Sequence, residues 1–307
     1  MEKEKTFVLI DGNAIAHRAY HAMPRFEHKG KLVNAVYGFV SILFKIISQI
    51  TPKYLAVAFD VKGPTFRDKL FADYKAKRIR PEREFYDQIP IIHEFLDSME
   101  IPYLVQQGFE ADDIIGSIST HVAKETENLQ VVIVTGDQDT LQLVNSRIKV
   151  LMPAMGVVKE TLYDHSAVIG KLGLSPEQVI DYKALCGDSS DNIPGVKGIG
   201  SKTAVKILQY YGSLENFYKN LKKDPESVKL SPKTRQILLA GRKDALFSKK
   251  LATIRTDLKL DFKLKDANLH DFNRSEVENF LLKFNFKSLA KRLPESHRHN
   301  KQQEKLF

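Results

Sequence analysis

Three short runs of apolar residues, each closing on an acid, punctuate the first half of the chain: Thr6–Asp11 (TFVLID), Tyr54–Asp60 (YLAVAFD) and Val131–Asp137 (VVIVTGD). Unbroken Val/Ile/Leu runs of this length predict strands buried on both faces, the signature of a parallel sheet. A fourth run, Ile101–Val105, leads through Gly108 into EADDIIGSISTHVAK, which reads as a helix with acids in its first turn. Helical periodicity over Asn34–Ile50 and Tyr86–Met99 fills the gaps between strands. Strand–helix alternation predicts an α/β fold with a mostly parallel central sheet flanked by helices. From about Leu174 the texture changes. Pro176–Leu185, Lys202–Tyr211, Leu214–Leu221 and Lys233–Ala240 carry helical spacing between Gly, Pro and Asp clusters, and Asp261–Phe286 is expected to pack back on the core. The expected organisation is an α/β region over 1–173, a helical region over 174–290 containing a helix–hairpin–helix element at about 176–212, and a polar, disordered tail over 291–307.

Strands that end in acids matter because open α/β sheets collect ligands at the carboxyl ends of their strands. Asp11, Asp60 and Asp137 sit at such ends. Glu110, Asp112 and Asp113 join from the turn before the fourth strand's helix, Asp139 follows in GDQD, and Asp188 and Asp191 lie in CGDSSDN. A single Asp after a strand is commonly a helix N-cap. Nine carboxylates from five segments are different, because close pairs repel by about 4 kcal/mol at an effective dielectric near 20. They must take up protons or bind cations. All-oxygen donors select Mg²⁺, Mn²⁺ or Ca²⁺ over zinc, and two such ions about 3.5–4 Å apart can activate water against a phosphodiester.

Charge sharpens this picture. The 307 residues carry 47 Lys and Arg against 38 Asp and Glu, a net +9. With the nine clustered acids set aside, 29 acids face 47 bases, so the rest of the surface has an excess of 18 positive charges. A negative basin on a positive body suits a nucleic-acid backbone. Phe66–Arg83 holds seven bases against three acids. Helical spacing there would put Lys75 and Arg78 on one face of a cationic arch spanning about 64–90, with Tyr74 free to stack on a base. IPGVKGIGSKTAVKIL (193–208) places Gly195, Gly198 and Gly200 in a tight turn ahead of a helix, with Lys197, Ser201, Lys202 and Thr203 beside it. Ser201 intrudes where a P-loop needs its Lys, so a hairpin gripping one duplex backbone fits better.

The single cysteine, Cys186, excludes a disulfide framework and any multi-Cys zinc site. The nine histidines show no HExxH spacing, and His297 and His299 in the tail carry little as metal candidates. No secretory signal and no bilayer-length apolar stretch is found, so the chain is expected to be cytosolic, away from membranes and monomeric.

Taken together, LIDGNAIAHRAYHAM, VNAVYGF, AFD, FRDKLFADYKAKR, EADD, TGDQD, GDSSDNIPGVKGIGSKTA and LATIRTDL occur in an order that resembles the 5′-nuclease (5′-3′ exonuclease) domain of bacterial DNA polymerase I and, more broadly, the flap endonucleases, over about residues 6–290. The resemblance implies a bacterial, nucleoid-associated enzyme that cleaves DNA at 5′ flaps or single-strand/duplex junctions in primer removal and repair. It implies one metal site among Asp11, Asp60, Glu110, Asp112 and Asp113 and a second among Asp137, Asp139, Asp188 and Asp191, holding Mg²⁺ or Mn²⁺. Lys75 and Arg78 match arch residues that contact the scissile phosphate, preceded by Tyr74. Arg18 and Tyr20 match the stretch after the first Asp, on the DNA-binding side. Gly195 to Thr203 matches a duplex-binding element that in some relatives holds K⁺. Every acidic position of the pattern is filled. Polymerase I continues into further domains, so either an excised domain or a free-standing nuclease is expected. Gln303, Leu306 and Phe307 are similar to short peptides that dock on bacterial sliding clamps. Two other readings compete: a non-catalytic module for branched DNA, and a haloacid-dehalogenase-type phosphatase. The phosphatase expects Thr or Val where Leu141 stands, and it leaves Asp11, Asp60 and the EADD cluster idle.

Overall fold

The computed structural model describes residues 5–78, 82–153, 160–269 and 272–294. Its centre is a six-stranded sheet. Strand β1 (Lys5–Asp11) leads into helix α1 (Gly12–Ala22), and a two-stranded hairpin, β2 (Glu27–His28) and β3 (Lys31–Leu32), precedes α2 (Asn34–Ile50). Strand β4 (Tyr54–Ala58) opens the basic segment, which carries α3 (Phe66–Leu70) and α4 (Arg83–Tyr86) before α5 (Ile89–Ser98). Then come β5 (Tyr103–Leu104), α6 (Ala111–Glu125), β6 (Leu129–Val134), β7 (Ile148–Met152) and β8 (Thr161–Tyr163). The sheet order is β5-β4-β1-β6-β7-β8, parallel except for β8, which runs antiparallel to β7 at one edge.

Strand β1 shows why the sheet is central. Val8 and Ile10 face a cluster built with α1, α2 and α5, whereas Phe7 and Leu9 face one built with α6. All four are at most 1% exposed, so both faces are sealed, and each such side chain contributes about 1.5–3 kcal/mol. Register pairs Ile10 with Val57 on one side and Val134 on the other. The carboxyl ends of β4, β1 and β6 are therefore level. The order reverses about β1, which places the crevice of the sheet beside Asp11.

The remaining helices are α7 (His165–Leu172), α8 (Val179–Cys186), α9 (Ser201–Tyr211), α10 (Leu214–Lys223), α11 (Pro232–Ala240), α12 (Arg242–Ala252), α13 (Arg274–Lys283) and α14 (Lys287–Ala290). Those from α8 to α12 close around a third cluster that includes Leu185, Ile207, Leu208, Phe217 and Leu238. The stretch 261–286 does return to the sheet. Leu269 N donates to Lys53 O at 2.8 Å, and Phe272, Val277, Leu281, Phe284 and Phe286 complete the α2/α5 face. Strands β7 and β8 and helices α1 and α12 are findings of the structure. The segment 176–185 begins as a 3-10 turn (Pro176–Gln178) and becomes α-helical at Val179. Among the described residues no helix is long and apolar enough to cross a membrane.

Candidate active site

Four carboxylates meet at the strand ends. Asp11 caps α1, its Oδ1 accepting from Ala14 N at 2.9 Å and its Oδ2 from Thr135 Oγ1 at 2.8 Å. Asp60, two residues past β4, accepts from Ala111 N at 2.7 Å and so leans on the N-terminus of α6. Asp112 lies in the first turn of that helix. Asp137, three residues past β6, caps a 3-10 turn by accepting from Asp139 N at 2.9 Å. Burial raises the Asp11 carboxyl to about 7, with Asp60 and Asp137 adding repulsion. Asp112 is raised well above the ordinary carboxylate range by burial and then by Asp137 and Asp11. Burial followed by Glu110 pushes Asp60 up, against the bond from Ala111. These mutual shifts are the signature of anions sharing one basin.

Two lysines balance the rim. Lys75 Nζ bonds Glu110 Oε1 at 2.6 Å and stands 3.8 Å from Asp191. Lys183 Nζ bonds both Asp139 and Asp188, the latter at 2.6 Å. Burial holds Asp139 up at about 6 in spite of Lys183. Asp188 resists the opposing effect of burial and falls to about 2, held by Lys183 and by Ser190, whose N and Oγ donate at 2.8 and 2.6 Å. Lys183 sits five residues before Asp188 and was not singled out from sequence. Its place near the end of α8, aimed at the GDSSDN loop, is the signal that could have found it.

Several expectations are corrected. Asp113 does not face the basin. It is fully buried, and its two oxygens accept from Arg67 Nη1 and Nη2 at 2.7 and 2.8 Å, Arg255 N at 2.9 Å and Glu110 N at 3.2 Å. With those bonds made it has no lone pair for a cation. Arg67, also missed, is 2% exposed and adds bonds to Glu110 and to the carbonyls of Leu251 and Thr253, anchoring the base of the basic segment. Tyr74 cannot stack on a base: it is buried, with its hydroxyl 3.2 Å from both Glu110 and Asp191. Lys75 and Arg78 do not share a helical face. Residues 72–77 form turns, Lys75 has φ +54°, and its N donates to Asp191 O at 3.0 Å. The two side chains nevertheless converge, because Arg78 reaches within 4.0 Å of Asp191. Tyr20 is buried and donates to Glu82 at 2.9 Å, so it is not a surface contact. Arg18 is half-buried and donates to the Pro153 carbonyl. Gln303, Leu306, Phe307, His297 and His299 lie outside the described residues.

The glycine hairpin is held from beneath. Gly195 has φ +61° and a buried N–H that donates to Ser248 Oγ at 3.0 Å, while Val196 N donates to Leu185 O at 2.8 Å. A Cβ on Gly195 would stand 2.2 Å from Gly187 N. Gly198 has φ +91°. Gly200 differs from expectation, since it has ordinary φ and open space around it and serves as the N-cap of α9. Lys197, Ser201 and Lys202 are exposed and Thr203 is half-buried, ringing the amino end of α9.

Residues 6–173 match the family model for the 5′-3′ exonuclease N-terminal resolvase-like domain, and residues 174–275 match that for the 5′-3′ exonuclease C-terminal SAM fold. The chain belongs to the 5′-3′ exonuclease family. DNA polymerase I of Caldicellulosiruptor bescii is 42% identical over 289 residues, covering 93% of this chain and 33% of the relative, so the chain spans about a third of the length of the curated relatives it matches. Among solved structures, T5 5′-exonuclease with zinc bound superposes with TM-score 0.67 at 20% identity, covering 94% of this chain and 97% of the other. A flap endonuclease of bacteriophage T5, solved as a pseudo-enzyme-product complex with DNA and metal ions, gives TM-score 0.65 at 19% identity, covering 94% and 96%. At these identities the two structures show a shared fold. The exonuclease basin itself consists of hard oxygen donors that repel one another, which fits divalent cations. Among the described residues no three His, Cys, Asp or Glu side chains stand close enough together to hold a metal ion by themselves.

Proposed function

We propose that this member of the family is a metal-dependent, structure-specific 5′ nuclease that hydrolyses DNA phosphodiesters at 5′ flaps and single-strand/duplex junctions. The observation that carries the reading is the meeting of Asp11, Asp60, Asp112 and Asp137 at the strand ends, where Asp60 and Asp137 raise the proton affinity of Asp11 and Asp137 and Asp11 raise that of Asp112, beside Lys75 and Arg78. Asp11, Asp60, Asp112 and Glu110 would hold one Mg²⁺ or Mn²⁺, and Asp137, Asp139, Asp188 and Asp191 a second, partly through water. Bound there, the ions would supply Lewis-acid polarisation of the phosphate and neutralise charge.

This chain's own groups do the rest. Lys75 and Arg78 meet the charge that develops on the transferring phosphate, Arg78 being half exposed and Lys75 held by Glu110 until substrate arrives. Arg67, through Glu110 and Asp113, fixes the base of the basic segment against α6. The hairpin from Gly195 to Thr203 would hold the duplex backbone through the exposed Lys197 and Lys202 and the amino end of α9, with K⁺ as the ion its turn would take. Arg18 keeps one guanidinium edge near Gly136, at the bend leading to Asp137. Clamp docking through Gln303, Leu306 and Phe307 would tether the enzyme to DNA and raise its local concentration. Deleting the last two of these should abolish clamp pull-down without changing cleavage of free DNA.

The test is cleavage of a 5′-flap DNA labelled at its 5′ end, with Mg²⁺ and with chelator. Metal-dependent release of short 5′ fragments is expected. DNA binding without cleavage would replace this reading with a non-catalytic junction binder, and hydrolysis of small phosphoesters alone would replace it with a phosphatase.

A further inference from the structure

Helix α1 carries a second arrangement of donors that the carboxylate basin does not use. His17 and His21 stand four residues apart on its exposed side, with their Nε2 atoms 3.1 Å from each other. Both rings are steadied by edge-on aromatic contacts: His17 against Phe85 at 5.6 Å between centroids, His21 against Tyr20 at 5.2 Å. The rings meet one another edge-on at 4.4 Å. A hydrogen bond between two imidazoles requires at least one of them to be neutral. Burial, then His21 and Arg78, lowers the proton affinity of His17, which favours that form.

Two imidazole nitrogens at this separation are close to the bite of a chelate. With metal–nitrogen bonds of about 2.0–2.1 Å, two ligands of a tetrahedral ion stand about 3.4 Å apart, a few tenths of an ångström from what is seen. A pair at i and i+4 on a helix is a geometry that presents both nitrogens to one ion. Imidazole is a borderline donor that suits Zn²⁺, Ni²⁺ and Cu²⁺ and discriminates against Mg²⁺. Among the described residues no third His, Cys, Asp or Glu completes the group, so water would fill the remaining positions. We propose that His17 and His21 form a bidentate site for a borderline divalent cation (Zn²⁺, Ni²⁺ or Cu²⁺), distinct in donor chemistry from the carboxylate basin.

The proposal concerns binding and stands apart from the nuclease reading. Ni²⁺ is titrated calorimetrically into the full-length chain with millimolar Mg²⁺ present to occupy oxygen-donor sites. One Ni²⁺-binding event is expected that weakens at least tenfold in both His17→Gln and His21→Gln, two positions on the outer side of α1 where the fold should survive. His121→Gln is the control, because His121 and Glu125 form an exposed i, i+4 pair 3.0 Å apart on α6. The double variant His297→Gln/His299→Gln controls for the tail. Cu²⁺ electron paramagnetic resonance should show two bound nitrogens in the parent and one in either single variant. Absence of Ni²⁺ binding by the parent, an event removed by a control instead, or a copper spectrum unchanged in His17→Gln and His21→Gln would each overturn the proposal.

Discussion

The acidic basin and the glycine hairpin are built on opposite terms. In the basin the working atoms are side-chain anions that resist being gathered: burial and mutual repulsion raise Asp11, Asp60 and Asp112 together. In the hairpin the working atoms are backbone, and its shape depends on missing side chains at Gly195 and Gly187. Charge in the first region opposes folding and serves function, whereas conformation in the second serves both. A conservative neutralisation should therefore separate activity from stability in the basin, and no substitution should separate them at Gly195.

The largest contrast is expected from Asp137→Asn. Asn keeps an oxygen to accept from Asp139 N and removes the charge. Steady-state cleavage should fall by more than about tenfold, with a melting temperature equal to or above the parent's. Lys75→Ala should lose turnover on the same scale, with little change in DNA affinity. Full activity in either purified variant would break the assignment.

Arg67→Ala should be the costliest change to the fold, by about 3–5 kcal/mol in denaturant unfolding, because it strands the buried Asp113 carboxylate. Arg67→Ala/Asp113→Ala together should recover part of that loss. Gly195→Ala should lose stability and DNA binding in parallel, since φ +61° strains any Cβ and the atom has no room.

A subtler sharpening comes from pH. Asp11 at about 7 and Asp139 at about 6 lie above the ordinary 3.8, so the folded chain holds protons that the unfolded chain has released. For acids raised in this way, stability is greatest at low pH and declines as pH climbs through the folded values. In chelator, the melting temperature should therefore drop between pH 5 and 8. Asp11→Asn, or millimolar Mg²⁺, should flatten that slope. An equal slope in all three conditions would show that the basin does not carry the charge assigned to it.

The smallest effect is expected at the hairpin surface. Lys197→Ala or Lys202→Ala should weaken DNA binding and reduce its salt slope by about 1, leaving turnover at saturation intact.

Much of this was legible because the physics is local. Strands β1, β4 and β6 announce themselves as apolar runs that end on acids, and Asn34–Ile50 is read to the residue. Which acids face the basin depends on rotation about a helix, which residue type alone does not reveal. Asp112 and Asp113 are neighbours in sequence, yet one faces the basin and the other is sealed under Arg67. The Glu110-to-Asp113 spacing was a clue, since it is that of a capping box, and the structure forms one. Tyr74 differs from expectation for another reason. Helical spacing does not hold where the chain turns at Lys75, and that turn carries the ring inward against Ile193 and Leu251. The histidine pair has the i, i+4 spacing of a metal-binding helix without the glutamate of HExxH, so that motif passes over it.

Gly187 and Gly195 press backbone against backbone, each at positive φ. In most crowded interiors an enlarged residue can be rescued when its neighbour shrinks, but here neither partner has anything left to give up. A selection for active variants from a library randomised at both positions should return the parental pair alone, with no covarying alternative.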